Sequence, residues 1–159
     1  MSDPEWLPPL VLFEDFGRQW QRYEDKLYDY FQADFLHSGP DVLGMPVRVR
    51  HDPKFKGKDW AFWHLTSYGK IEEERTPDLR RCERIRWPRP IIDSCGEERV
   101  RAWQKGPTRD RRVLIALPDF SYLVVLARKK DHLVLITAYC IEHGHERRKL
   151  ERQWRTDRL

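Results

Sequence analysis

Four β-rich runs crowd the second half of this chain and constrain its fold more than any other feature. They are "RVRAWQKG" (99–106), "RRVLIALPD" (111–119), "YLVVLARKK" (122–130) and "HLVLITAYCI" (132–141), with turn signals "GPTRD", "PDFS" and "KKDH" where they meet. A parallel crossover needs a dozen or more residues, so strands this close must pair as antiparallel hairpins. Helical patterns flank them. Residues 13–36 place Phe13, Phe16, Trp20, Tyr23, Leu27, Tyr30 and Phe31 at three- and four-residue steps, the signature of an amphipathic helix whose other face is acidic. A charged stretch, "EHGHERRKLERQWR" (142–155), reads as a closing helix. The expected class is α+β: N-terminal helices, a four-stranded antiparallel sheet, then a C-terminal helix.

Between these ends the pattern is mixed. "HSGPDVLGMP" (37–46) reads as a Gly/Pro-punctuated connection, "VRVRHDP" (47–53) as a short strand, and "KFKGK" (54–58) as a basic turn. The "WAFWHL" run (60–65) is open to helix or strand, since its periodicity fits both. Thr76-Pro77-Asp78 has the residues of a helix start, and the helix is expected to run through "DLRRCERIRW" and stop at Pro88. On that helix Arg80, Arg81 and Arg84 share one side, while Leu79 and Cys82 lie toward the other.

At 159 residues the chain is expected to form one unit that needs no disulfides to stay folded. Its three cysteines, Cys82, Cys95 and Cys140, have no framework spacing and fit reduced thiols in a cytoplasm. No apolar run approaches the roughly 20 residues of a membrane span, and "MSDPEWLPPL" has no basic region of a secretory signal. The net charge of +4 hides an asymmetry. Residues 1–36 carry eight acidic and three basic side chains, a local net of −5, whereas residues 75–112 carry twelve basic and six acidic, a local net of +6. Such polarity fits a basic face for a polyanion, or a merely solvated surface. The preference for Arg favours phosphate, which the guanidinium fork pairs bidentately.

His64 is the leading candidate for chemistry, because imidazole titrates unaided near neutral pH; a hydrogen-bonded histidine at the rim of a core is the structural alternative. In "LVLITAYCI" strict alternation puts Thr137 and Tyr139 on one face with Leu135, opposite Ile136 and Ala138. Glu83 could orient an arginine or act as a base, and Asp78 is a first-turn acid. "CIEHGHE" (140–146) lacks the spacing of a metal site, and no phosphate loop, nucleophile elbow or dinucleotide fingerprint is present. No metal and no cofactor are expected. A histidine, an arginine cluster and two hydroxyls form the toolkit of RNA cleavage without metal, in which the substrate's own 2′-hydroxyl is the nucleophile.

These pieces also resemble a known superfamily. "FWHL" (62–65), "DLRRCERIRWPRPII" (78–92) and "YLVVLARKKDHLVLITAYCI" (122–141) followed by a charged helix are similar to the phage-associated branch of the barnase/EndoU/colicin/RelE-like (BECR) nucleases, over residues 47–155. The resemblance implies a metal-independent ribonuclease, often a toxin, acting on an RNA substrate and countered by an antitoxin or immunity protein. It implies His64 as the catalytic histidine, Arg84 as the helix arginine with Arg81 the possible second, Thr137 as the strand hydroxyl with Tyr139 beside it, and Lys149 as a phosphate contact. Arg80 joins Arg81 as a substrate-binding candidate. Residues 1–46, the acidic aromatic leader, depart from the core pattern and precede a nuclease-like unit at 47–159, with which they are expected to pack as one. Two other functions stay open: a non-catalytic nucleic-acid-binding module using the same basic face, and an interaction protein that docks through the acidic helix.

Overall fold

The aromatic stripe near the N-terminus forms helix in three pieces rather than one. The computed structural model describes residues 3–159, so the first two residues of the leader lie outside it. A 3-10 turn over Phe13–Phe16 ends where Gly17 and Arg18 both take left-handed backbone, at φ 62° and 55°. Glycine takes that conformation without steric cost, and here it breaks the helix. Helix α1 then runs Trp20–Phe31 and ends in a wider π turn over Gln32–Leu36. Tyr23, Leu27 and Phe31 are fully buried in one hydrophobic cluster with Phe62, Ile85, Leu126 and Leu135. The leader therefore supplies part of the main core.

Residues 37–46, expected as a plain connection, hold a small hairpin. Strand β1 (Asp41–Val42) turns through Leu43 and Gly44, both at positive φ, into β2 (Met45–Val49). Positive φ at both central residues gives the turn whose twist suits a two-residue hairpin. The "WAFWHL" run is helical: α2 spans Trp60–Thr66 and buries Ala61, Phe62 and Leu65. Its first amides, on Trp60 and Ala61, donate to the carbonyls of His51 and Arg50, which caps the helix with the end of the preceding segment.

The arginine helix differs from expectation at both ends. Strands β3 (Ser67–Tyr68) and β4 (Thr76–Pro77) pair in a separate two-stranded sheet, so Thr76 and Pro77 are strand. Asp78 is the N-cap of α3 (Leu79–Glu83), its carboxylate accepting the Arg81 amide at 3.2 Å. The helix ends at Arg84, before the proline expected to stop it. Pro88 instead opens α4 (Pro88–Asp93) at its first position, where a missing N–H costs nothing.

The predicted hairpins follow: β5 (Arg101–Lys105), β6 (Arg112–Ala116), β7 (Tyr122–Arg128) and β8 (Leu133–Cys140), each antiparallel to the next in sequence. The class is α+β, but the four-stranded antiparallel sheet is only part of the whole. The order is β1-β2-β8-β7-β6-β5, six strands, because β2 adds in parallel to β8 with Val47 opposite Leu133 and Val49 opposite Leu135. This pairing covers an edge that would otherwise leave β8 amides unpaired. Helix α5 (Gly144–Asp157) closes the chain.

One irregularity sets the site. Val125 lies opposite Thr137 and Leu126 opposite Leu135, so Ile136 is an extra residue, a β-bulge. Before it Leu133 and Leu135 face the main core; after it Ala138 does. Thr137 and Tyr139 therefore lie on the face opposite Leu135, and Tyr139 packs with the second cluster under α5. Helix α5 covers Trp103, Leu114 and Leu123 on that outer face with Leu150 and Trp154, and leaves Val134 and Ile136 half-buried.

Because Leu27 is fully buried in the main core, Leu27→Ala should destabilise the whole chain by about 2–5 kcal/mol in a urea titration. Loss of leader structure alone, with the remaining chain unfolding at the wild-type midpoint, is the outcome that would contradict a shared core.

Candidate functional site

Helix α2 turns Trp60, Trp63 and His64 outward from its buried face. Trp60 and His64, one turn apart, stack with ring centroids 3.7 Å apart at 20°. The His64 Nε2 lies 3.0 and 3.1 Å from the two carboxylate oxygens of Glu72, on the short turn Glu72–Glu74. The imidazole is only 14% exposed. Burial drives its pKa below the ordinary 6.5; the Glu72 hydrogen bond opposes that drop, and the charges of Arg75 and Arg81 add to it. The shift favours the neutral imidazole, the form suited to accept a proton.

The other predicted residues divide between two places. Thr137 and Arg81 meet His64 at its backbone: the Thr137 hydroxyl donates to the His64 carbonyl at 2.9 Å, and Arg81 Nη1 donates to the same oxygen at 3.2 Å. Arg81 Nη1 also reaches the Ser67 carbonyl at 2.9 Å and Thr137 Oγ1 at 3.2 Å. Its guanidinium lies 5.3 Å from the Tyr139 ring centre, and burial raises the Tyr139 phenol above its ordinary value, keeping it protonated. Arg80 and Arg84 point elsewhere. Arg80 pairs with Glu142 at 2.6 Å, Arg84 donates to the Arg80 carbonyl at 3.2 Å, and both line a groove of about 500 Å³ with Arg147, Glu83 and Asp119. So the three arginines do not share one side. Lys149 stands exposed on α5.

Two constellations escaped the sequence reading. The first is a groove of about 440 Å³ on the uncovered outer face of the sheet, lined by Arg48, Arg50, Arg112, Lys129 and His132 with Trp60 as a wall and no carboxylate among its lining residues. Arg50 sits over the Trp60 ring at 4.6 Å. Arg112 and His132 have carboxylates at their outer sides, Asp110 at 3.2 Å and Asp131 at 2.7 Å. The basic positions of "VRVR" are a local signal for Arg48 and Arg50, and strand register brings in the rest. The second is a buried carboxylate, Asp59, which accepts from the Tyr28 hydroxyl and lies 2.5 Å from His51 Nδ1. Burial pushes the Asp59 carboxyl up, but the hydrogen bonds from Tyr28 and His51 outweigh it and hold the group below its usual range. This contact ties α1 to the start of α2 while leaving the His51 ring 55% exposed.

Among the described residues no group of three or more His, Cys, Asp and Glu side chains is placed to hold a metal ion, and no helix is long and apolar enough to cross a membrane. No protein-family model, curated protein or solved structure matches the chain.

Titrating the imidazole signals by NMR should place His64 below 6.5, and Glu72→Gln should lower it further by removing the hydrogen bond and charge that favour imidazolium. The fold should correspondingly lose stability as pH falls below 6.5, since the unfolded chain takes up a proton that folded His64 resists. A His64 value raised above 6.5, or one unmoved by Glu72→Gln, would contradict the geometry described.

Proposed function

We propose that this chain is a metal-independent RNA endonuclease of the kind its resemblance to the BECR nucleases implies. The observation that carries the reading is a cationic groove, with no carboxylate among its lining residues, that runs up to Trp60, on which the imidazole of His64 is stacked. Arg48, Arg50, Arg112 and Lys129 supply charge for an RNA backbone, and a bidentate guanidinium suits phosphate in particular.

In this reading Glu72 holds the His64 proton on Nε2 and leaves Nδ1 as the basic nitrogen. The imidazole takes the proton from a 2′-hydroxyl; the 2′-oxygen bonds to phosphorus, and the bond from phosphorus to the 5′-oxygen breaks. The proton passes from the imidazole to the departing 5′-oxygen, leaving a 2′,3′-cyclic phosphate and a 5′-hydroxyl. No redox partner or metal takes part. Arg81 and Thr137 act by holding α2 on β8. Tyr139 packs beneath Arg81, and Arg80, Arg84 and Lys149 bind RNA away from the reacting bonds. An antitoxin or immunity partner and a cytoplasmic setting belong to the same proposal.

The 14% exposure of His64 favours a second reading, a non-catalytic RNA-binding module using the same groove. Incubation with RNA in EDTA separates the two. The nuclease reading expects cleavage that His64→Ala slows by about 10²–10⁴-fold. Arg48→Ala with Lys129→Ala should weaken binding and flatten the slope of log affinity against log salt by about 0.7 for each phosphate no longer neutralised. Salt-dependent binding without cleavage would leave the module; absence of both would overturn both.

A further inference from the structure

A cavity of about 380 Å³ that the cleavage chemistry leaves unused shares Trp60 as a lining residue with the basic groove. Its walls are aromatic: Trp20 from α1, Phe55 from the basic turn, and Trp60 and Trp63 from α2. These rings are fixed. Trp63 donates its indole N–H to the Phe55 carbonyl at 3.0 Å and meets the Phe55 ring edge-on at 5.5 Å, while Trp20 donates to Glu24 at 3.0 Å. Trp20 and Phe55 are nevertheless 36% and 45% exposed, an arrangement core packing alone does not require. The charged groups of the lining are the carboxylates of Glu24, Glu72 and Glu73 and the cations of Lys54, Lys56 and Arg75. Of these, Glu24 already accepts from Trp20, and Arg75 donates to the Ser67 and Gly69 carbonyls.

We propose that this cavity takes one unstacked base of the RNA whose backbone runs in the basic groove, and that it selects guanine; the RNA part of this rests on the ribonuclease reading above. Trp60 lines both spaces, so they adjoin, and one nucleotide can set its phosphate in the groove and its base in the cavity. The volume lies within the range of small-ligand sites, and single-stranded RNA is commonly read by stacking splayed bases on aromatic side chains. The polar lining decides among bases. A carboxylate only accepts hydrogen bonds. Guanine presents two adjacent donors, N1–H and the N2 amino group, beside an O6 acceptor suited to an ammonium. Adenine and cytosine present a bare ring nitrogen at the position of N1–H, and uracil flanks its single N–H with two carbonyl oxygens. Glu73 is the selecting residue, because Glu72 already holds His64 and Glu24 already accepts from Trp20.

Calorimetric titration of the full chain with GMP, AMP, CMP and UMP tests the cavity without any need for cleavage. GMP should bind about tenfold or more tightly than the others. Glu73→Gln should abolish that preference, and Phe55→Ala should weaken all four alike; both side chains are exposed, so neither change threatens folding. Equal affinities in the wild type, no binding of any nucleotide, a preference that survives Glu73→Gln, or binding unchanged by Phe55→Ala would each overturn the proposal. Parallel RNA digestion keeps the two claims apart. Cleavage without guanine selection sinks the cavity's role and spares the nuclease, and guanine binding by a chain that cleaves nothing does the reverse.

Discussion

Arg81 reaches from α3 toward β8, and a single nitrogen of its guanidinium bonds acceptors on three other elements: the carbonyls of His64 and Ser67 and the hydroxyl of Thr137. The side chain is 16% exposed, so these bonds form largely out of water, where an unpaired partner is costly. Its ε nitrogen lacks a hydrogen bond yet lies 3.4 Å from the Asp78 carboxylate, an ion pair without hydrogen-bond alignment. Asp78 also caps α3, so one acid fixes both the start of the helix and the charge of the arginine it presents. The direction in which α2 turns Trp60 and His64 depends on this junction.

The junction depends in turn on the bulge at Ile136. Without the extra residue, Thr137 would keep the phase of Leu135 and face the main core, away from the outer face it shares with Tyr139. A second anchor acts at the other end of α2. Asp59 holds Tyr28 of α1 and His51 together, and the first amides of α2 bond to the carbonyls of Arg50 and His51. Helix α2 is thus pinned at both ends, and its Trp60 lines both the basic groove and the aromatic cavity. Under the proposed reading, preorganisation of this kind would place a base and a phosphate relative to His64 ahead of binding.

What could be read from sequence alone was local. Strands β5 to β8 follow from four apolar runs and the shortness of the turns between them, and α5 from its charge pattern. The parallel addition of β2 was not legible, because a five-residue strand carries no mark of a partner that lies more than eighty residues further along the chain. The bulge was invisible for a related reason: alternation assumes an unbroken pleat. The Asp78 cap and the start of α4 at Pro88 show the opposite error, in which a strong punctuation signal was attached to the wrong side of the break. For the site, His64 and Thr137 were both expected as candidate residues, and the contact that unites them is the His64 carbonyl rather than its ring. Arg48, Arg112, Lys129 and His132 are scattered over eighty-five positions of sequence and meet only through strand register, so no motif could have joined them.

The central claim is that RNA is cut by its own 2′-hydroxyl with His64 moving the proton, and the chemistry of the new 3′ ends tests it most directly. Digestion of a defined RNA in EDTA, followed by analysis of the fragments, should yield 2′,3′-cyclic phosphates, with a 2′-deoxy substitution at the cut site blocking the reaction. Fragments ending in a free 3′-hydroxyl, or cleavage that proceeds at the deoxy position, would contradict the account.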